Sequence, residues 1–384
     1  EGVVQDLNRL SYNSAISQLR KVSLPIDASA KITGPLLLHS SQWGIIDPVD
    51  TPDGGNVGLH KHMSLGAYIT NDCSSFPIIK WLRRHARMRL LTESSPAYIA
   101  ATCKIFVNGN WVGVIDKPYS LLTKLKNYRR SALLSVFTSI SWDIPNNTLY
   151  IYTDGGRMCR PIFYVDGGTA SYERAAVIEK LASKADFSWD NLLTGFSKKK
   201  QVGFSAKGCE IYEKVGDLYD VDTIEALKDT QAVIEYVDVA EEESALIAHS
   251  FENVESQTSM KHHMRYTHVE IHASLILGVM GNQVVFPENN QLPRDLFACG
   301  QMKQAVSLYH SNFPVRIDKM GVILNNGQIP LVKSRYLEKI NNEEHPYGEN
   351  VIVGIMCYNG YNVEDAILIN EGAINRGLFR TTYY

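Results

Sequence analysis

Residues 43–58 constrain the fold more than any other stretch. The run Trp43-Gly44-Ile45-Ile46-Asp47-Pro48-Val49-Asp50-Thr51-Pro52-Asp53-Gly54-Gly55-Asn56-Val57-Gly58 packs two prolines and four glycines into sixteen positions. Proline fixes φ and removes a backbone donor, while glycine opens the left-handed region, so this is a constrained loop and neither a helix nor a central strand. Its carboxylates, Asp47, Asp50 and Asp53, lie three apart. A calcium loop of the EF-hand type needs them two apart with a closing Glu, which is missing. The better reading is a rigid loop that presents backbone to a partner or a ligand.

The 384 residues, with 45% hydrophobic and 21% charged content, describe a globular chain with room for two to four domains of ~100–200 residues each. No uncharged apolar run reaches the ~20 residues of a membrane helix. The nearest, around 273–285, is broken by Gly278, Gly281 and Asn282. The start, Glu1-Gly2-Val3-Val4, is not a signal peptide and lacks Met, so the chain is expected to be a piece of something longer. Six scattered cysteines without a C-x-x-C pair argue against a disulfide framework and a zinc ribbon, and they fit a reducing compartment. The net charge of −3 means that a nucleic-acid binder would have to segregate its cations on one face.

Along the chain, helical spacing of Leu7, Leu10, Ala15, Ile16 and Leu19 predicts an amphipathic helix within 1–22, closed by Arg20-Lys21. Residues 59–71 leave the Pro/Gly loop as helix or strand. Arg83, Arg84, Arg87 and Arg89 read as a basic helical run, and Asn108-Gly109 as the turn of a hairpin over 104–115. A second basic helix carries Lys124, Lys126, Arg129 and Arg130; both basic runs are expected as solvated faces. Strands are expected over 148–166. Lys198–Lys200 and Glu241–Glu243 are expected at the surface. From about 266 onward apolar strands alternate with turns, with one clear helix at 293–309. The chain has no internal repeat.

Four stretches carry chemical potential. His268, Glu270 and His272 would share one face of a strand, below His262 and His263, which offers either a metal set or structural histidines. The Pro/Gly loop is the second. In the third, a strand at 284–286 leads to a helix opened by Pro293. Arg294 in its first turn would either hold a phosphate or pair with Asp295 or Glu288, and Lys303 and Gln304 lie about three turns along. In the fourth, the apolar stretches 351–357 and 366–369 read as short buried strands. They flank a turn that presents Glu364 and Asp365, adjacent acids that need a cation or water. Asn370 then caps a short helix that Gly377 ends.

Together these stretches resemble the second-largest, beta-type subunit of multisubunit DNA-directed RNA polymerase, in its eukaryotic, archaeal and large-DNA-virus form. The markers are collinear over nearly the whole chain. They include Ser17-Gln18-Leu19-Arg20-Lys21-Val22, Thr51-Pro52-Asp53-Gly54, Thr153-Asp154-Gly155-Gly156-Arg157, Tyr266-Thr267-His268-Val269-Glu270-Ile271-His272, Asn290-Gln291-Leu292-Pro293-Arg294, Lys303-Gln304-Ala305 and Gly360-Tyr361-Asn362-Val363-Glu364-Asp365. The resemblance implies a multidomain α+β chain with predominantly antiparallel and mixed sheets. Residues 1–72 and 148–167 would be the fork, 73–147 external domain 1, 168–275 external domain 2, and 276–384 the first part of the hybrid-binding domain.

It also implies roles. Arg294 would hold the triphosphate of the incoming nucleotide. Glu364 and Asp365 would help position the second Mg2+, shared with the largest subunit, which holds the first. Arg20, Lys21, Lys303 and Gln304 would contact nucleic acid. No zinc site is expected in this segment. Partners would be the largest and other polymerase subunits, template DNA, the RNA transcript and nucleoside triphosphates, in the nucleus, cytoplasm or a virion, without a membrane. Departures from the family pattern are Asp47 in place of Cys, Asp50 and Asp53 in place of Glu, Leu36 in place of Arg, and Gln301 in place of Met. The competing readings are a non-catalytic scaffold relative that binds polymerase subunits, and a metal hydrolase built on His268, Glu270 and His272.

Overall fold

In the computed structural model, the described residues are 4–30, 32–174, 177–179, 183, 188–195, 231–259, 265–310, 312–318, 321–341 and 343–384. They fall into two compact units. One comprises 1–38, 46–65 and 274–384, and the other 39–45 with 66–273. The expected α+β class, with antiparallel and mixed sheets, is what the chain adopts. Lys198–Lys200, His262 and His263 lie outside the described residues.

The second unit is built on two sheets. A four-stranded sheet orders Asn110–Ile115, Cys103–Val107, Thr148–Tyr152 and Ser139–Asp143, with the central pair parallel and the outer pairs antiparallel. Its hairpin turns where the sequence places it, with Asn108 at φ 47° and Gly109 at φ 80°. Two left-handed residues in succession are what a tight hairpin between right-twisted strands requires. The helices Phe76–Arg84 and Pro118–Arg130 bury Ile78, Trp81, Leu82, Leu125 and Tyr128 against Ile105, Ile140, Leu149 and Ile151 of the sheet. Trp81 meets Tyr128 edge-on at 5.5 Å. The first basic run is helical only as far as Arg84; Arg87 has φ 58°, and Arg89 bridges to Val114.

The second sheet centres on the Met158–Asp166 strand. Ile234–Asp238 and His268–Val269 flank it, and Ile247–Ala248 lies outside the latter. Two expectations from local charge fail here. Arg129 and Arg130 do not lie on a solvated face, and Glu241 and Glu242 are not at the surface: Arg129 is 1% and Glu241 0% exposed. Arg129 donates to Glu241 Oε2 at 2.6 Å and Glu235 Oε2 at 2.9 Å, while Arg130 Nε reaches Glu235 at 2.9 Å and Lys126 Nζ reaches Glu241 at 3.0 Å. Burial pushes the Glu241 carboxyl up, but the facing Arg129 and Lys126 prevail and hold it down at about 2. Arg160 bridges Glu242 and Glu270, each at 2.8 Å. Burial outweighs Arg160 at Glu242 and pushes that carboxyl up to about 7. Gly44, at φ 70°, leaves the room Arg160 needs, since a Cβ there would lie 2.5 Å from Nη1.

In the first unit the helix Tyr12–Leu19 is shorter than the predicted segment and is capped by Ser11, whose side chain accepts from Ser14 N. Lys21–Ser23 pairs antiparallel with His60–His62, so 59–71 leaves the Pro/Gly loop in extended form. The expected strand at 284–286 is absent: Gly281–Gln283 and Pro287–Asn289 are 3-10 turns, and Phe286 sits at φ 48° between them. Residues 351–357 and 366–369 also differ from expectation. They form neither strands nor core, and Ile352, Ile355 and Ile367 are 105%, 98% and 84% exposed. An apolar run is buried only where another element lies against it, and no described strand pairs with these residues. The short helix Glu371–Asn375 does form as predicted, with Asn370 Oδ1 accepting from Ala373 N at 2.9 Å and Gly377 at φ 107° beyond its end.

Candidate nucleic-acid interface

Within the first unit, one helix carries three of the predicted site residues. It runs Leu292–Gln304 with Pro293 in its first turn, and ends five residues earlier than predicted because Ala305 is extended. Asp295 is buried in that first turn, where its carboxylate suits the positive end of the helix, and it accepts from Asn290 Nδ2 at 3.1 Å. The ion-pair alternative for Arg294 is not what the structure shows. Asp295 is engaged by Asn290, Glu288 is exposed, and the exposed Arg294 guanidinium lies 5.6 Å from the centroid of Phe297. Arg294 therefore stands at a helix start on a stiff element, with its donors turned to solvent and no ion pair to either acid among the described residues.

Two turns and a half along the helix, or ~13 Å at 1.5 Å per residue, Lys303 and Gln304 border a cleft of about 470 Å³. The Pro/Gly loop forms the opposite wall through Thr51, Pro52 and Asp53, with Phe297, Gln301 and Asn8 completing it. The C-terminal end of the helix is tied down by Ser11, whose hydroxyl donates to the Lys303 carbonyl at 3.0 Å. That bond satisfies one of the carbonyls that every helix end leaves unpaired. The loop wall is fixed by its own bonds. Thr51 Oγ1 donates to the His60 carbonyl at 3.0 Å and accepts from Gly58 N at 2.8 Å.

Lys303 is not a free lysine. Its ammonium donates to Asp50 Oδ1 at 2.6 Å and lies 3.3 Å from His62 Nε2. His62 Nδ1 is in turn 3.0 Å from the Asp50 carbonyl. An ammonium can only donate, so Nε2 accepts and Nδ1 carries the proton: His62 is neutral. Burial lowers its pKa from the ordinary value, in keeping with that form. Asp47, next to this group, is buried and accepts from Val49 N at 3.0 Å through Oδ1. Burial, with a smaller push from Asp50, raises its carboxyl to about 7.

The remaining predicted residues are placed as follows. Arg20 is half-buried and donates to the Ser64 carbonyl at 2.5 Å, and burial lowers its pKa. Lys21 sits in a strand opposite His62 and is also half-buried. Glu364 and Asp365 are exposed on a loop organised by Asn362, whose side chain accepts from Tyr358 N at 3.0 Å and donates to the Met356 carbonyl at 2.5 Å. Glu364 takes φ 55°, uncommon for a residue with a side chain. Lys303 and Gln304 thus share one cleft, Arg294 shares their helix, and the two acids occupy a separate loop of the same unit.

The His268/Glu270/His272 set does not converge. His268 is buried with Nε2 on Glu235 at 2.7 Å and Nδ1 on Thr267 at 2.8 Å, and Glu270 takes Arg160 and Trp43 Nε1, while His272 is exposed. Both ring nitrogens of His268 are engaged, and among the described residues no cluster of three His, Cys, Asp or Glu could hold a metal. The metal-hydrolase reading is overturned. The residues that sequence reasoning missed are Asp50 and His62 as partners of Lys303; the only signal was a carboxylate in a rigid loop, 253 positions away.

Comparison with known proteins gives a consistent pattern. Four family models match in chain order: RNA polymerase Rpb2 domain 3 over residues 5–69, domain 4 over 105–166, domain 5 over 227–272 and domain 6 over 280–384. The RNA polymerase II subunit RPB2 of Encephalitozoon cuniculi is 37% identical over 385 residues, covering 100% of this chain and 30% of that protein. The corresponding subunit of Schizosaccharomyces pombe is 34% identical over 408 residues, with 100% and 32% covered. The RNA polymerase III subunit RPC2 of Drosophila melanogaster is 31% identical over 385 residues, with 100% and 30% covered. The chain thus spans about a third of the length of these relatives.

Proposed function

Because the chain belongs to the second-largest-subunit family of DNA-directed RNA polymerases, we propose that it contributes to the catalytic core of such an enzyme, of the eukaryotic, archaeal or large-DNA-virus type. The reaction is template-directed transfer of a nucleoside monophosphate from a triphosphate to the RNA 3′ end. The observation that carries this reading is the order and span of the matched domains, joined to one exposed arginine at the start of the helix whose far end lines the cleft.

The residue roles are those the family resemblance implies, and the chemistry of each side chain supports them. Arg294, a planar guanidinium with paired N–H donors, is suited to bidentate contact with a triphosphate beside a helix N-terminus. Gln304 and Lys303 offer hydrogen-bond donors to RNA along the cleft, and Arg20 and Lys21 lie on the element that flanks it in sequence. Glu364 and Asp365 are hard oxygen donors, exposed and without a competing cation among the described residues, which suits Mg2+. They would hold the second ion jointly with the largest subunit. When bound, that ion would act with the first, the pair supplying charge stabilisation to the attacking and leaving oxygens. The chain's own share is to fix charge in advance of reaction, with no covalent intermediate. In this reading residues 1–72 and 148–167 are the fork, 73–147 and 168–275 the external domains, and 276–384 the start of the hybrid-binding domain. The partners are the largest and other polymerase subunits, template DNA, the transcript and nucleoside triphosphates, inside the cell.

The test is Arg294→Ala in the assembled polymerase. Loss of a charge-assisted contact of about 1.5–3 kcal/mol predicts a ~10–100-fold lower kcat/KM for nucleotide addition. Unchanged nucleotide kinetics would remove Arg294 from the triphosphate site.

A further inference from the structure

Lys303 has three N–H donors and the protein fills two of them. One goes to Asp50 Oδ1 at 2.6 Å, and the second is directed at His62 Nε2, 3.3 Å away. Its side chain is 21% exposed and Asp50 3%, so the ammonium sits at the cleft wall on a receptor that is buried. Asp50 is held by the Pro/Gly loop, and His62 by the strand paired with Lys21–Ser23. The other ionisable groups facing this cluster are Asp47 and Lys21, with the buried Cys299 on the helix itself.

We propose that Asp50 and His62 are positioning residues for Lys303, which they hold with its third donor aimed across the cleft at a phosphate oxygen of a bound polynucleotide. The proposal rests on the reading of the cleft as a nucleic-acid surface. A lysine normally carries a flexible four-carbon stem and loses its freedom on binding. Here that freedom is already removed, since a carboxylate and a neutral imidazole fix the ammonium before any ligand arrives. The arrangement also explains why an acid stands beside a surface meant for a polyanion. Asp50 spends its charge on the lysine and offers nothing to repel the backbone.

Charge and positioning predict opposite signs, which makes the proposal testable. In the assembled polymerase carrying the complete subunit, the readout is retention of labelled RNA in the RNA–DNA hybrid complex over a potassium chloride series. Lys303→Ala should weaken retention and lower the log–log salt slope by about one. Asp50→Asn removes one negative charge and, on charge alone, would tighten retention. If Asp50 acts through Lys303, it loosens retention to the level of Lys303→Ala, the double variant is no worse than either, and Asp50→Glu recovers part of the loss. Should Asp50→Asn fail to assemble, His62→Leu carries the same expectation. Tighter or unchanged retention in Asp50→Asn, or full additivity with Lys303→Ala, overturns the positioning role and leaves the cleft reading standing. An unaltered salt slope and retention in Lys303→Ala overturns the cleft reading itself, and the positioning role with it.

Discussion

The two units use the same residue types to opposite ends. In the second, Arg129 and Arg160 are sealed among Glu235, Glu241, Glu242 and Glu270, and every one of these side chains is nearly inaccessible. In the first, Arg294, Glu364 and Asp365 are exposed, the arginine on a regular helix and the acids on a tight loop. A buried ion pair is closed to a ligand. An exposed charge on a stiff element adds almost nothing to folding and retains its donors. The difference separates charges that build the molecule from charges that are available for chemistry, and it can be broken by mutation.

The largest effect belongs to Arg129. Arg129→Ala leaves Glu235 and Glu241 buried without their main counter-charge, and removing one partner of a buried pair costs about 3–5 kcal/mol. Chemical denaturation of the chain should show that loss, while Arg294→Ala stays within about 0.5 kcal/mol of the parent. Similar values for the two variants would erase the distinction between the regions.

Next comes Asp47, a charge in the first unit that resembles those of the second in burial but lacks their partner. Its folded pKa of about 7 lies above the ordinary 3.8, so its contribution to stability is complete below the ordinary value and is lost as pH rises through 7. Val49 N, Gly278 N and Lys303 oppose the shift, and Asp50 adds to it. Asp47→Asn should therefore gain stability relative to the parent between pH 4 and pH 8, on the order of 4 kcal/mol at the upper end. Parallel stability curves for the two proteins would show that Asp47 is not held neutral by its surroundings.

How much of this was legible beforehand depends on the range of the interaction. The Asn108-Gly109 turn, the Pro293 helix start and the Asn370 cap are settled by φ preferences and by bonds to residues within a turn, and each formed as read. The class of fold was also legible, because several short motifs fixed one another's spacing. Partners of buried charge were not. Arg129 lies 112 positions from Glu241, and a run of basic residues on a helix looks the same whether solvent or a carboxylate faces it. Lys303 shows the same limit: its sequence context gives the charge and omits the two groups that orient it. The apolar stretches at 351–357 and 366–369 erred in the other direction, since hydrophobicity reports that burial is favourable and does not supply the covering element.

The smallest effect is also the most selective. Glu364 occupies a left-handed conformation at φ 55°, one that glycine adopts without a Cβ penalty. Glu364→Gly relieves that strain but releases more backbone freedom on unfolding, so the net change in stability should be no more than about 1 kcal/mol in either direction. The same substitution deletes one of the two exposed carboxylates. If the acids serve chemistry and not architecture, nucleotide addition by the assembled enzyme should fall and its apparent Mg2+ requirement should rise, while the melting temperature barely moves. Glu364→Asn, which tolerates the same backbone region, should behave alike in activity. A variant that keeps full activity at low Mg2+ would assign the left-handed turn to loop geometry alone, and the exposed acids of the first unit would then join the buried ones of the second as structure.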